Sequence, residues 1–233
     1  MKRLQFVIGR FFLAQFVALR QFACPMKRVF DIAASFFGLI CFGWLILLLA
    51  AMIRRDTPGP GIFRQVRVGR NERPFTCYKL RTMASGTVSA ASHETPRAAV
   101  TGLGVRLRAW KLDELPQLWN VLKGDMSFVG PRPCLPVQTV LIEARRREGA
   151  FRVRPGITGP AQVRGIDMSE PERLARIDGA YARASGFWSD LLLILQTVTG
   201  KGRATGCGDF TSAANCLIDP ELPAAGTRSK GLP

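Results

Sequence analysis

Asp113 and Glu114 stand side by side in LDELPQLWNVLKGDMSFVGPRP (112–133), within a chain that carries 33 Lys and Arg against 17 Asp and Glu. Two adjacent carboxylates among cations can hold Mg²⁺, which takes one or two protein carboxylates and fills its remaining positions with water and substrate phosphate. An ionised aspartate aimed at phosphorus can also attack it, forming an acyl phosphate and dividing one difficult displacement into two easier ones. The plainer alternative is that Asp113 only caps a helix, a common place for aspartate. The surrounding cations favour the chemistry. Arg108 lies five residues upstream, Pro131 and Pro133 brace Arg132, and RVRPGITGPAQVRG (152–165) sets Arg152, Arg154 and Arg164 on a second Pro/Gly loop. Proline fixes φ, so these arginines sit on stiff backbone, and guanidinium forks match phosphate oxygens.

Several elements must position these groups. Leu115, Leu118, Trp119 and Leu122 recur at helical spacing, predicting a helix over 113–123 that Gly124 stops, with Pro116 tolerated only in its first turn. IFRQVRVGRNERPFTCYKLRTM (62–83) reads as two β-runs joined by a Gly/Asn turn, carrying Arg64, Arg67, Lys79 and Arg81. PVQTVLIEARRRE (136–148) reads as a helix. Ser169 and Glu172 form a capping-box pattern opening another that ends near Ala184, and FWSDLLLILQTV (187–198) is a strongly apolar helix suited to touch a membrane. Residues 84–100 read as a loop, and the Gly/Ala/Thr/Pro-rich segment from 200 onward as a poorly ordered tail.

From Ile32 to Ile53 there is no charged residue, and as a helix this run is roughly 33 Å long, enough to cross a bilayer. Lys27 and Arg28 precede it and Arg54 and Arg55 follow it, so the preference of basic residues for the cytoplasmic side pulls both ends the same way. A re-entrant helix that bends, with Gly43 as the weak point, satisfies both flanks; a buried core helix is the competing expectation. The run begins too far into the chain, without a cleavage pattern, to be a signal peptide. The preceding leader, FVIGRFFLAQFVALRQF (6–22), is basic and partly amphipathic, suited to lie among headgroups.

The formal charge of +16 on 233 residues implies an anionic partner: nucleic acid, acidic lipid or phosphorylated small molecules. Six cysteines without a C-x-x-C pair suggest neither a disulfide framework nor a zinc site, and a single histidine, His93, argues against Ser-His or Cys-His catalysis. No Asp-x-Asp and no P-loop occurs, which disfavours a metal-dependent glycosyltransferase or a P-loop enzyme, and no recognisable nucleic-acid module is present. A membrane-anchored basic protein that binds acidic lipid or nucleic acid without catalysis explains the charge and the apolar run, but not the acidic pair among the basic loops.

KRVFDIAASFFGL, DTPGPGIFRQVRVGRN, PFTCYKLRTM, LDELPQLWNVLKGDMSFVGPRP, VRPGITGPAQV and the series Asp178, Tyr181, Phe187-Trp188, Asp190 resemble the bacterial sugar transferase family, the monotopic polyprenyl-phosphate phosphoglycosyl transferases, in order and spacing over roughly residues 26–199. The resemblance implies a helix-rich α+β monotopic membrane protein. It would comprise a re-entrant helix (27–55) and a catalytic domain (56–199) with a short β-hairpin, while the basic leader (1–26) and the flexible tail (200–233) are read from the sequence and have no family counterpart. It implies transfer of a sugar-1-phosphate from a UDP-sugar to undecaprenyl phosphate, with release of UMP, at the cytoplasmic face of the bacterial inner membrane, initiating exopolysaccharide or other surface glycan synthesis. Asp113 would be the covalent nucleophile, with Mg²⁺ at Asp113 and Glu114. Substrate contacts would fall to Lys79, Arg81, Arg108, Arg132, Arg154, Gln162, Asp178 and Asp190. The partners implied are both substrates and membrane lipid, no nucleic acid, with a homo-oligomer left open. Two departures stand out: Gly43-Trp44 where the family often has Ser-Pro, and Ile166 where it often has Arg.

Overall fold

The computed structural model describes residues 2–84 and 99–199, with side chains from Pro25 onward. His93 and the segment from residue 200 lie outside it, as does most of the predicted loop over 84–100. Among the described residues, seven α-helices and four short strands follow one another: α1 (Lys2–Asp56), β1 (Ile62–Val68), β2 (Pro74–Leu80), α2 (Gly102–Ala109), α3 (Gln117–Lys123), β3 (Ser127–Val129), α4 (Thr139–Glu148), β4 (Gly156–Thr158), α5 (Pro160–Val163), α6 (Pro171–Ala184) and α7 (Phe187–Thr199).

The helix-rich architecture with one long apolar N-terminal helix agrees with expectation, and so does the hairpin. Strands β1 and β2 pair antiparallel from Ile62 opposite Leu80 to Val68 opposite Pro74, and the connection passes through Asn71 in the left-handed conformation at φ 54°. Strands β3 and β4 form a second, parallel pair that the sequence did not announce. Backbone meets backbone here. A Cβ on Gly156 would lie 2.1 Å from the Gly130 nitrogen, and one on Gly130 would lie 2.2 Å from the Arg154 oxygen, so glycine alone lets the two arginine-bearing loops touch.

Helix α1 is helical throughout, including the predicted bend at Gly43. Its described part docks on the body along one face. Lys27 donates to the Val129 carbonyl (2.8 Å), to the Tyr181 hydroxyl (3.0 Å) and to Asp190. Arg28 donates to the Val121 and Leu122 carbonyls at 2.7 and 2.9 Å, closing the C-terminal end of α3, and buried Asp31 accepts from Ser127 Oγ and the Phe128 amide. Farther along, Ile46, Leu49 and Ile53 pack with Leu80 and Leu107 in one apolar cluster. The opposite face is bare: only 17% of the most apolar window of Pro25–Asp56 is buried, and Phe36, Phe37, Ile40 and Leu47 are exposed. The core-helix expectation therefore fails for most of this surface. Of the four flanking basic residues taken as topology signals, Lys27 and Arg28 are bound within the protein.

A second core joins Val68, Cys134, Leu141, Leu174 and Ile177 beneath α4 and α6, and a third joins Cys77, Val121 and Met126 behind α3. Helix α4 begins at Thr139, three residues later than the pattern from 136 indicates. The predicted capping box does not form: Ser169 Oγ donates to Asp167 Oδ1, and α6 opens with Glu170 at its N-cap and Pro171 in its first turn, where a missing N–H costs nothing. The apolar helix over 187–198 appears as α7.

Candidate active site

The acidic pair sits in a single 3₁₀ turn, Leu112–Glu114, between α2 and α3. Lys111 precedes it at φ 55°, a conformation uncommon for a residue with a side chain, and reverses the chain so that the turn faces back toward β2. The expected helix from Asp113 starts only at Gln117. Pro116 has no N–H to give to the carbonyl four residues back, so the chain ahead of it closes in 3₁₀ fashion, Leu115 N to Leu112 O at 3.2 Å. Asp113 is thus no helix cap; Pro116 holds that position.

Three elements converge on the turn. Lys79, near the end of β2, donates to Glu114 Oε1 at 2.9 Å, and Arg132, from the Pro-braced loop after β3, reaches the same oxygen at 3.7 Å. Arg108 on α2 is held by its Nε to Thr82 Oγ1 at 2.9 Å and acts electrostatically on Asp113. Asn120, fully buried on α3, accepts from the Tyr78 amide (3.1 Å) and donates to the Thr76 carbonyl (2.7 Å), joining α3 to the strand that carries Lys79.

The neighbouring carboxylates are driven apart. Burial and the adjacent Glu114 charge raise the Asp113 pKa above its ordinary value, with Lys79 and Arg108 opposing. Burial also works to raise Glu114, but Lys79 and Arg132 outweigh it and the net direction is down. The two carboxylates thus sit in different electrostatic settings: the cations favour the charged form of Glu114, while burial and the neighbouring charge disfavour that of Asp113. Mg²⁺ would be held by this pair only as an ion shared with substrate phosphate. Among the described residues no three His, Cys, Asp or Glu side chains stand together, and a magnesium held by one or two carboxylates plus phosphate oxygens needs no more.

The other predicted contacts also have partners within the protein. Arg81 is buried and binds the Thr57 and Pro58 carbonyls and Thr57 Oγ1, fixing the exit of α1. Arg154 donates to the Gly124 carbonyl at the end of α3, and the Gln162 amide donates to the Ile157 carbonyl in its own loop. Asp178 forms a buried pair with Arg145 at 2.7 Å, and Asp190 binds Lys27 and the Tyr181 hydroxyl. The resemblance assigned these polar residues to the substrate pocket, and sequence alone does not show the partners they have within the protein. Sequence reasoning also missed Thr82, Asn120 and Arg145. The one local signal was Asn120, a polar residue flanked by the apolar positions of its helix.

A family model described as Bacterial sugar transferase matches residues 22–202. The chain is 41% identical over 205 residues to "Uncharacterized sugar transferase EpsL" of Bacillus subtilis, covering 80% of this chain and 99% of that protein. It is 41% identical over 183 residues to "UDP-glucose:undecaprenyl-phosphate glucose-1-phosphate transferase" of Caulobacter vibrioides, covering 74% and 68%. It is also 33% identical over 199 residues to "Exopolysaccharide production protein ExoY" of Rhizobium meliloti, covering 78% and 87%.

Proposed function

The chain belongs to the bacterial sugar transferase family, and from that premise we propose that it transfers a sugar-1-phosphate from a UDP-sugar to undecaprenyl phosphate through a covalent intermediate on Asp113. The observation that carries the reading is the split acidic pair within reach of cations on three separate elements. An Asp113 oxygen attacks the phosphorus that bears the sugar. The bond from that phosphorus to the bridging oxygen breaks, and UMP leaves with the bond's electrons. An oxygen of the lipid phosphate then attacks the phosphorus of the aspartyl intermediate, the P–O bond to Asp113 breaks, and the carboxylate returns with the lipid-diphosphate sugar as product. Lys79, Arg108 and Arg132 offset the repulsion between successive anions. Mg²⁺ bound by Asp113 and Glu114 supplies further charge neutralisation at the phosphates.

The exposed face of α1 seats this site at a membrane, with the catalytic body on the cytoplasmic side of the inner membrane. All four tryptophans support the same seating: Trp44, Trp110, Trp119 and Trp188 are each at least half exposed, at 64, 79, 52 and 73%, and tryptophan is the residue favoured at membrane–water interfaces. The product primes exopolysaccharide or another surface glycan.

The test is a panel of UDP-sugars with undecaprenyl phosphate, scored for UMP. Release of UDP instead would indicate transfer of the sugar alone. With donor and no lipid, intact-mass measurement detects a phosphosugar adduct that Asp113→Asn lacks; a turnover-competent enzyme without an adduct refutes the covalent route.

A further inference from the structure

The backbone of the loop that carries Arg132 is held at four consecutive carbonyls. Pro131 O accepts from the Gly156 amide (3.0 Å), Arg132 O from Arg145 Nη1 (2.8 Å), Pro133 O from Arg67 Nη1 (2.8 Å) and Cys134 O from the Val68 amide (2.9 Å). Two of the four donors are arginine side chains taken out of water: Arg67 is 7% and Arg145 2% exposed. Proline at 131 and 133 already fixes φ on both sides, so this loop has more restraint than its length requires. A buried guanidinium is costly unless paired, and Arg145 is paired from behind. Asp178 on α6, 1% exposed, accepts from Arg145 Nε at 3.0 Å and from Nη2 at 2.7 Å. Among the described residues the other Asp178 oxygen, also buried, has no hydrogen-bond partner, so there the carboxylate makes its hydrogen bonds to Arg145 alone.

The guanidinium of Arg145 therefore presents a fixed Nη1 to the carbonyl of the residue whose side chain faces Glu114. We propose that Arg145, locked by Asp178, is a positioning residue that sets where the Arg132 guanidinium meets the donor's diphosphate. It touches no substrate itself. The inference rests on the reading of the Asp113 site given above and adds to it a relay from the protein interior: α6 carboxylate, α4 guanidinium, loop carbonyl, phosphate-facing arginine.

Arg145→Lys keeps a cation opposite Asp178 but removes the fork that serves Asp178 and the Arg132 carbonyl together. Placed in a double-mutant cycle with Arg132→Lys, it separates positioning from general support. The expected result is a loss of about tenfold or more in kcat/KM for UMP release when Arg132 is present. The loss should fall mainly on the donor KM and not on the lipid KM. In the Arg132→Lys background the same substitution should cost less than about threefold, because sites that act through one another do not add. Thermal melting accompanies each variant, and Asp178→Asn runs through the same cycle should Arg145→Lys fold poorly. A second readout, the calorimetric Kd of UDP, needs no turnover and should show the same non-additivity. Penalties that simply add in a wild type that does turn over, or a folded Arg145→Lys with unchanged donor kinetics, overturn this inference alone. A wild type that neither releases UMP nor binds UDP overturns it together with the reaction assigned above.

Discussion

Gly104→Ala offers a sharp test of how the site is built. Gly104 lies in the first turn of α2, and a Cβ there would stand 2.1 Å from the Thr82 carbonyl oxygen, whereas real contacts of this kind do not fall below 3.0 Å. Helix and strand end must therefore separate by nearly 1 Å, a movement comparable to the misplacements that cost catalysis about a hundredfold. Thr82 is also the residue whose hydroxyl holds Arg108, so the separation acts directly on a cation of the site. Two stability terms oppose each other: alanine favours a helix over glycine by about 1 kcal/mol, and overpacking costs about 1–3 kcal/mol. The net destabilisation is about 0–2 kcal/mol, far too little to unfold the protein. The expected signature is a near-native melting temperature with kcat/KM for UMP release down about 10–100-fold. The same substitution made in an Arg108→Ala background should cost little more. Wild-type turnover in a folded Gly104→Ala protein would refute the claim that the α2–Thr82 contact sets the position of Arg108.

Three other outcomes follow from the geometry. Arg28→Gln removes charged hydrogen bonds to the last carbonyls of α3 and should lower stability by about 1.5–3 kcal/mol in urea titration, with α3 amides losing protection from hydrogen exchange first. Trp188→Ser, at a site 73% exposed, should leave melting in detergent unchanged while weakening partition onto lipid vesicles. Chelation of divalent ions should abolish UMP release without shifting the melting temperature, and added Mg²⁺ should restore it, as the proposed binding of the ion by Asp113 and Glu114 together with substrate requires.

Elements whose burial follows a local rhythm were legible in the sequence. The hairpin showed in its β-branched and aromatic runs around a Gly/Asn turn, and α7 in its continuous apolar stretch. Helix α2 was not, because GLGVRLRA carries two glycines and no clear apolar face; it exists through the Thr101 side chain, which accepts from the Gly104 amide, and through packing of Leu107 on α1. The β3–β4 pair joins three-residue strands 29 positions apart through glycine contacts, a relation no window of sequence contains. In the site, adjacency made Asp113 and Glu114 conspicuous, and proline made Arg132 so. What separated them from Asp178 and Asp190 was the identity of distant partners, Arg145 and Lys27, which only the fold supplies.

The splice of Lys27, Arg28 and Asp31 into α3, β3 and α7 has a consequence for how lipid reaches the enzyme. With the long apolar helix bonded to the body at these points, the distance between Asp113 and the exposed apolar face of α1 is a built-in dimension of the molecule, and on the membrane seating proposed above it would fix the height of the site over the bilayer. For the reaction proposed above, a prenyl phosphate would then have to arrive by sliding in the plane of the leaflet, with its headgroup at that one altitude.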